Sequence, residues 1–178
     1  LRAGANFRIG QKMFDAGRQV RASEIGLLAE VGVSQAEVPR RPKVAVLPTG
    51  DELVDCGLQP GEGQIRNSNG PMIAAMARQL GMLVTDLGIG RDDEDALTHK
   101  IEQGLQQDML ILSGGVSAGQ KDLVPGILHS LGVKEVFHKV MVKPGKPIWF
   151  GVRESQGRQT VVFGLPGNPV SSLVGFQL

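Results

Sequence analysis

From residue 43 onward the apolar positions fall into short blocks separated by glycine, proline and charged residues, and the spacing within the blocks alternates between two kinds. Lys43-Val-Ala-Val-Leu47 and Met109-Leu-Ile-Leu112 are continuous apolar runs, as expected of strands covered on both faces. Between them, Met72, Ile73, Met76 and Leu80 recur at helical spacing over residues 71–80, with Gly81 as the stop. Residues 82–87 read as the next strand. Asp92 or Asp93 then caps a helix that carries Leu97, Ile101 and Leu105 on one side. Residues 122–131 form a further helix closed by Gly132, and strands follow over 136–142, 148–152 and 160–163. Asn168 and Pro169 suit the N-cap and first position of a last helix. Strand–helix alternation of this kind predicts an α/β domain with a parallel or mixed sheet and helices on both faces. Ligands in such sheets bind beyond the carboxyl ends of the strands.

Residues 1–41 have a different texture. Short strands are expected over 7–14 and 19–21 around the turn Asp15-Ala-Gly17, then a helix over 24–30 capped by Ser23, and another strand over 35–38. Forty such residues bury little alone. They read as a small α+β segment, part of a domain whose remainder lies elsewhere. The junction is expected at Arg40-Arg41-Pro42, since proline turns the preceding residue away from helix. The division is therefore 1–41 and 42–178.

Composition narrows the possible functions. No run approaches 18 apolar residues, which excludes a membrane-spanning helix, and a net charge of +1 argues against a nucleic-acid partner. The chain opens on Leu1-Arg-Ala-Gly, neither an initiator methionine nor a signal peptide, and its lone Cys56 can form no internal disulfide. These features fit a cytoplasmic protein. Charge is unevenly spread. Residues 86–108 hold seven acids and two bases, and residues 134–158 hold six bases and two acids. Solvated faces account for most such charges, but a chain that handles both a cation and an oxyanion needs both signs.

Several loops after strand-like runs carry candidate chemistry. Thr49-Gly-Asp-Glu52 crowds the carboxylates Asp51 and Glu52 at a strand end, which a cation such as magnesium would offset; a capping turn is the plainer reading. Ser113-Gly-Gly-Val-Ser-Ala-Gly119 offers many N–H and O–H donors to a phosphate, with Asp122 three residues on. It lacks the Gly-Lys-Ser/Thr end of a Walker A loop. Gly115-Val-Ser-Ala-Gly119 has the form of a serine hydrolase elbow, yet His99, His129 and His138 fall on helices or strands rather than on loops beyond strand ends. Lys143-Pro-Gly-Lys-Pro147 is a turn stiffened by two prolines with two lysines. Gly164-Leu-Pro-Gly-Asn-Pro-Val-Ser171 opens a helix whose N–H groups suit an anion.

Taken in order, these blocks resemble the molybdopterin molybdenumtransferase family, MoeA in bacteria and the gephyrin E domain in animals. The matching residues are Thr49-Gly-Asp-Glu-Leu53, Gln64-Ile-Arg-Asn-Ser-Asn69, Arg91-Asp-Asp93, Ser113 to Gly119 with Asp122, Lys143-Pro-Gly-Lys-Pro147 and Leu165-Pro-Gly-Asn-Pro-Val-Ser171. The resemblance implies a three-layer α/β/α sandwich with a mostly parallel sheet, shared with the MoaB and Mog adenylyltransferases. It implies the last step of molybdenum cofactor synthesis, in which adenylylated molybdopterin is hydrolysed, AMP leaves and molybdate is inserted. By the same resemblance Glu52, Asp92 and Asp122 are the acidic working residues and hold Mg2+. Lys143, Lys146, Pro147 and Ser171 hold molybdate. Thr49, Gly50, Asp51, Ser113, Gly114, Gly115, Ser117, Gly119, Gly167 and Asn168 complete the binding loops, and the intact protein is a homodimer. Pro48, Asn67 and Leu123 depart from the family's usual residues. Two alternatives remain open. One is a non-catalytic scaffold like gephyrin, against which the three retained acids count. The other is an adenylyltransferase like Mog, against which the lysine turn counts.

Overall fold

The computed structural model describes residues 6–116 and 123–178, and it divides into two compact units, residues 1–40 and 41–178.

In the first unit the only regular element among the described residues is helix α1, Ala22–Glu30. Its start is built around Glu24. The Arg21 N–H donates to Glu24 Oε2 at 3.0 Å, the Ser23 hydroxyl donates to the same oxygen at 3.0 Å, and the Arg18 guanidinium donates to Oε1 at 2.7 Å. Glu24 is thus a buried carboxylate with a full set of donors, and they hold its pKa down from 4.5 to about 2, Arg18 first among them. Arg21, not Ser23, occupies the cap position. The strands expected over 7–14, 19–21 and 35–38 are not formed. Their apolar residues find no second strand: Ile9 is fully exposed, and Val20 and Val38 are exposed too. A strand has no hydrogen bonds of its own to hold it.

The second unit is a three-layer α/β/α sandwich. Its strands are β1 (Lys43–Pro48), β2 (Leu53–Val54), β3 (Ile65–Arg66), β4 (Leu83–Asp86), β5 (Met109–Ser113), β6 (Lys134–His138), β7 (Trp149–Ser155) and β8 (Arg158–Leu165). Its helices are α2 (Asn69–Gln79), α3 (Glu94–Gly104), α4 (Leu123–Ser130) and α5 (Pro169–Gln177). Six strands form one sheet in the order β4-β1-β5-β8-β7-β6, parallel through β8 and antiparallel beyond it. β2 and β3 pair separately.

The continuous apolar run of β1 divides between two cores by simple alternation. Val44 and Val46 pack with Ile73, Ala74 and Ala77 of α2 and with Leu165, while Ala45 and Leu47 pack with Leu97 and Ile101 of α3 and with Val124 and Leu128 of α4. Both β1 neighbours are parallel, so crossover helices lie on both faces. The segment after β1 enters α2 on one face, and the segment after β5 enters α4 on the other. The carboxyl ends of β1 and β5 therefore part, which is where open α/β sheets form a ligand crevice.

α2 begins at Asn69, two residues before the expected start, because Pro71 falls in the first helical turn, where its missing N–H costs nothing. The strand expected over 136–142 is displaced to Lys134–His138, since Lys139 takes a φ of +80°, a conformation that ends an extended run.

Candidate functional site

The crevice is assembled from loops that follow β1, β5 and β8. After β1, the Thr49 N–H donates to the Ser113 carbonyl at 2.8 Å and the Gly50 N–H to the Gly90 carbonyl at 3.0 Å, so the loop is tied to the strands on both sides. Gly50 adopts φ +140°, and the Glu52 carboxylate folds back over it. A Cβ on Gly50 would lie 2.4 Å from Glu52 Oε2. Asp51 is held across the chain: its Oδ1 accepts from the Asp92 N–H at 3.0 Å.

After β5, Gly114 and Gly115 take φ of +90° and +61° and press against the β1 loop. A Cβ on Gly114 would stand 2.5 Å from the Thr49 carbonyl oxygen, and one on Gly115 would stand 2.7 Å from Thr49 Oγ1. Only glycine permits both the dihedral and the approach. After β8, Asn168 caps α5 by accepting from the Ser171 N–H at 3.1 Å, and Pro169 is the first helical residue. The lysine turn packs here as well. Gly145 is buried, and a Cβ on it would be 3.6 Å from the Ser171 carbonyl oxygen. The Lys146 carbonyl closes the base of the turn by accepting from the N–H groups of Val140 and Ile148. This leaves the exposed Lys143 and Lys146 on a turn that packs against the first turn of α5.

The three loops are joined by one side chain. Asn69, buried at the start of α2, donates through Nδ2 to Ser113 Oγ at 2.7 Å and to the Gly167 carbonyl at 2.7 Å. Ser113 Oγ lies 3.4 Å from Ser172 Oγ, and the Ser172 hydroxyl donates to the Pro166 carbonyl. Asn69, Ser113 and Ser172 thus form a buried polar network beneath the crevice. Among the described residues, Thr49 Oγ1 and Asn69 Oδ1 are the buried side-chain polar atoms left without a hydrogen-bond partner. Each such atom costs about 1–3 kcal/mol, and both belong to this one site.

Thr49, Glu52, Ser113, Gly114 and Gly167 line a single cleft of about 70 Å³ together with Asn67, Asn69 and Pro169. Gly50, Asp51 and Gly115 belong to the same loops, and Asn168 and Ser171 form the adjoining helix start. Asp93, not Asp92, caps α3, accepting from the Ala96 N–H at 2.8 Å; Asp92 meets the β1 loop through its N–H. Ser117, Gly119 and Asp122 lie outside the described residues. Among the described residues no three acidic, histidine or cysteine side chains gather as metal ligands. The sequence places Asn69 in the Gln64–Asn69 block without a role of its own, and nothing in it points to Ser172. The available signal was the placement of Ser68-Asn69 directly before an amphipathic helix.

Residues 45–178 match a family model described as "Probable molybdopterin binding domain". The chain belongs to that family. Curated members of similar sequence include a molybdopterin molybdenumtransferase of Staphylococcus aureus, 34% identical over 176 residues, and one of a Nostoc species, 41% identical over 175. These alignments cover 98% and 97% of this chain but 41% and 39% of those relatives, so the chain spans about two fifths of their length. Among solved structures, a molybdopterin biosynthesis MoeA protein from Pyrococcus horikoshii superposes with a TM-score of 0.75 at 35% identity, covering 90% of this chain and 39% of that one. MoaB from Pyrococcus furiosus, a tungsten cofactor synthesizing protein, shares the family fold with a TM-score of 0.60 at 19% identity, covering 79% and 91%.

Proposed function

We propose that the protein containing this chain is a molybdopterin molybdenumtransferase, and that this α/β/α unit binds adenylylated molybdopterin and molybdate as substrates. The observation that carries the reading is the single cleft in which Thr49, Glu52, Ser113, Gly114 and Gly167 meet at the parting carboxyl ends of β1 and β5 in a molybdopterin-binding-domain chain. In this reading the N–H groups of Gly115 and of the α5 start face the phosphates and the oxyanion, while the Gly114 N–H is taken by the Leu165 carbonyl. Lys143 and Lys146 attract molybdate, a compact dianion, and Glu52, Asp92 and Asp122 serve the AMP side. The two sides must be separate, because carboxylates repel a dianion that lysines attract.

The donor set is compatible with Mg2+ held largely by substrate. Glu52 and Asp92 supply carboxylates from neighbouring loops joined by the Asp92 N–H bond to Asp51. Magnesium commonly takes one or two carboxylates and completes its shell with phosphate oxygens and water. When bound, it would neutralise phosphate charge as AMP departs. We further propose a homodimer, and a cytoplasmic location, for the intact protein.

The test is AMP release from adenylylated molybdopterin by the full-length protein with Mg2+, with and without molybdate. Molybdate-stimulated release is expected. A protein that neither releases AMP nor binds molybdopterin overturns the reading, and a monomeric full-length protein by sedimentation overturns the assembly.

A further inference from the structure

We infer that Arg91 is a positioning residue for Glu52, an assignment that rests on the transferase reading above. Glu52 sits in a turn, and a working carboxylate on a turn needs its backbone fixed. The carbonyls of residues 51, 52 and 53 each receive a donor. Arg91 Nη1 donates to the Asp51 carbonyl at 3.0 Å and to the Leu53 carbonyl at 2.9 Å, and the Ile65 N–H donates to the Glu52 carbonyl at 2.8 Å. One guanidinium nitrogen therefore holds the two peptide groups on either side of the Glu52 carbonyl, and β3 holds that carbonyl itself. The Asp92 N–H adds a fourth bond to the same turn, at Asp51 Oδ1.

The Arg91 side chain and the Asp92 N–H both come from the loop between β4 and α3, while Glu52 comes from the loop after β1. That second loop is also fastened at its base, where Thr49 and Gly90 form a parallel bridge. The bridge alone would seat the strand end, and the turn beyond it could still rotate. The Ile65 and Asp92 N–H groups each restrain one point of that turn, and Arg91 ties the two peptide carbonyls that flank Glu52. An ammonium nitrogen also has donors for both carbonyls, but it turns freely on a flexible stem where the Nη1 donors of a planar guanidinium are fixed in direction, so lysine braces the turn less firmly. Arg91, Asp51 and Glu52 are all exposed, so the brace contributes little to folding. Its effect falls on where the Glu52 carboxylate stands. A displacement on the order of 1 Å of a reacting group lowers a rate by about a hundredfold.

The experiment uses the full-length protein and AMP release from adenylylated molybdopterin. Arg91→Ala is expected to lower kcat by about tenfold to a hundredfold with KM and thermal midpoint unchanged. Arg91→Lys is expected to fall between wild type and Arg91→Ala, and added methylguanidinium to restore part of the Arg91→Ala rate. In a Glu52→Gln background the Arg91→Ala change should have no further effect, because the group it positions is already disabled. An unchanged kcat in Arg91→Ala overturns the inference. So does an equal loss in the Glu52→Gln background, which would mean Arg91 acts by itself. So does a loss matched by a fall in the folded fraction, which would make the brace merely structural. A wild-type protein that releases no AMP defeats the transferase reading and this inference together, whereas an active wild type with an insensitive Arg91→Ala defeats the inference alone.

Discussion

At Asn69 a single carboxamide donates to a hydroxyl and to a backbone carbonyl on two different loops while its own oxygen goes unpaired. Donation, not bulk, is what the position requires. Asn69→Asp keeps the shape and turns the donor into an acceptor that faces the Gly167 carbonyl, with only the Ser113 hydroxyl able to rotate and donate to it. It should cost more stability than Asn69→Ala, by about 1–3 kcal/mol, in urea unfolding. The reverse order would mean that packing matters more than the hydrogen bonds. The glycines make a second contrast. Gly114→Ala places a methyl 2.5 Å from a backbone oxygen at φ +90°, whereas the nearest atom to a Cβ on Gly167 is Gly114 Cα at 3.9 Å. Gly114→Ala is expected to lose about 2 kcal/mol or more, and Gly167→Ala to stay within about 0.5 kcal/mol. Glu24 provides a pH test. Its folded pKa lies below the unfolded 4.5, so its contribution is complete above that value and fades as pH falls from about 4.5 toward 2. Amide protection factors at the start of α1, which are free of the intrinsic pH dependence of exchange, should fall across that window. Arg18→Ala, which removes the main cause of the shift, should move the carboxyl titration of Glu24 upward by NMR.

Elements differ in how far their residues announce them. β1 and β5 are readable because strands buried on both faces must be apolar throughout, and 44–47 and 110–112 are buried in the structure. α3 is readable because Leu97 and Ile101 share a face and Asp93 caps it. β6 is misplaced by the pattern because Val140 and Val142 continue its apolar run, while the positive φ of Lys139 is invisible in the pattern. β2 and β3 are two residues each, too short for any alternation to register. The strands expected before residue 40 fail for a different reason. Apolar spacing states what a segment could do with a partner, and no partner strand forms there among the described residues. The site was legible as a set of loops, since glycine, asparagine and lysine punctuate strand ends. It was not legible as a network, since Asn69 meets Gly167 across 98 residues. At the α5 start, Asn168→Ala should destabilise by about 1 kcal/mol and Asn168→Asp by less, measured by thermal unfolding of the full-length protein.

For the whole molecule the question is whether the two charge populations divide one site between them. The acids Asp51, Glu52 and Asp92 sit on loops at the β1 side, and Lys143 and Lys146 sit on a turn packed at the α5 start. If molybdate binds on the lysine side, the magnitude of its attraction follows from exposure. Both lysines are exposed, so each ion contact is worth at most about 1 kcal/mol, or roughly fivefold in affinity. Lys146→Ala should therefore weaken molybdate binding a few-fold, not abolish it. Lys143→Ala should act similarly, and the pair should combine to a loss on the order of twentyfold if their effects add. Because exposed charges are screened over about 8–10 Å at ordinary salt, wild-type affinity should fall with ionic strength, and the double variant should lose most of that dependence. Glu52→Gln removes a like charge from the adjoining cleft, so it should leave molybdate affinity unchanged or raise it while suppressing AMP release. Calorimetric titration of the full-length protein with molybdate at two salt concentrations reads both arms. Lysine variants that bind molybdate as well as wild type, or a Glu52→Gln protein that binds it more weakly, would place the oxyanion on the acidic side and reverse the assignment.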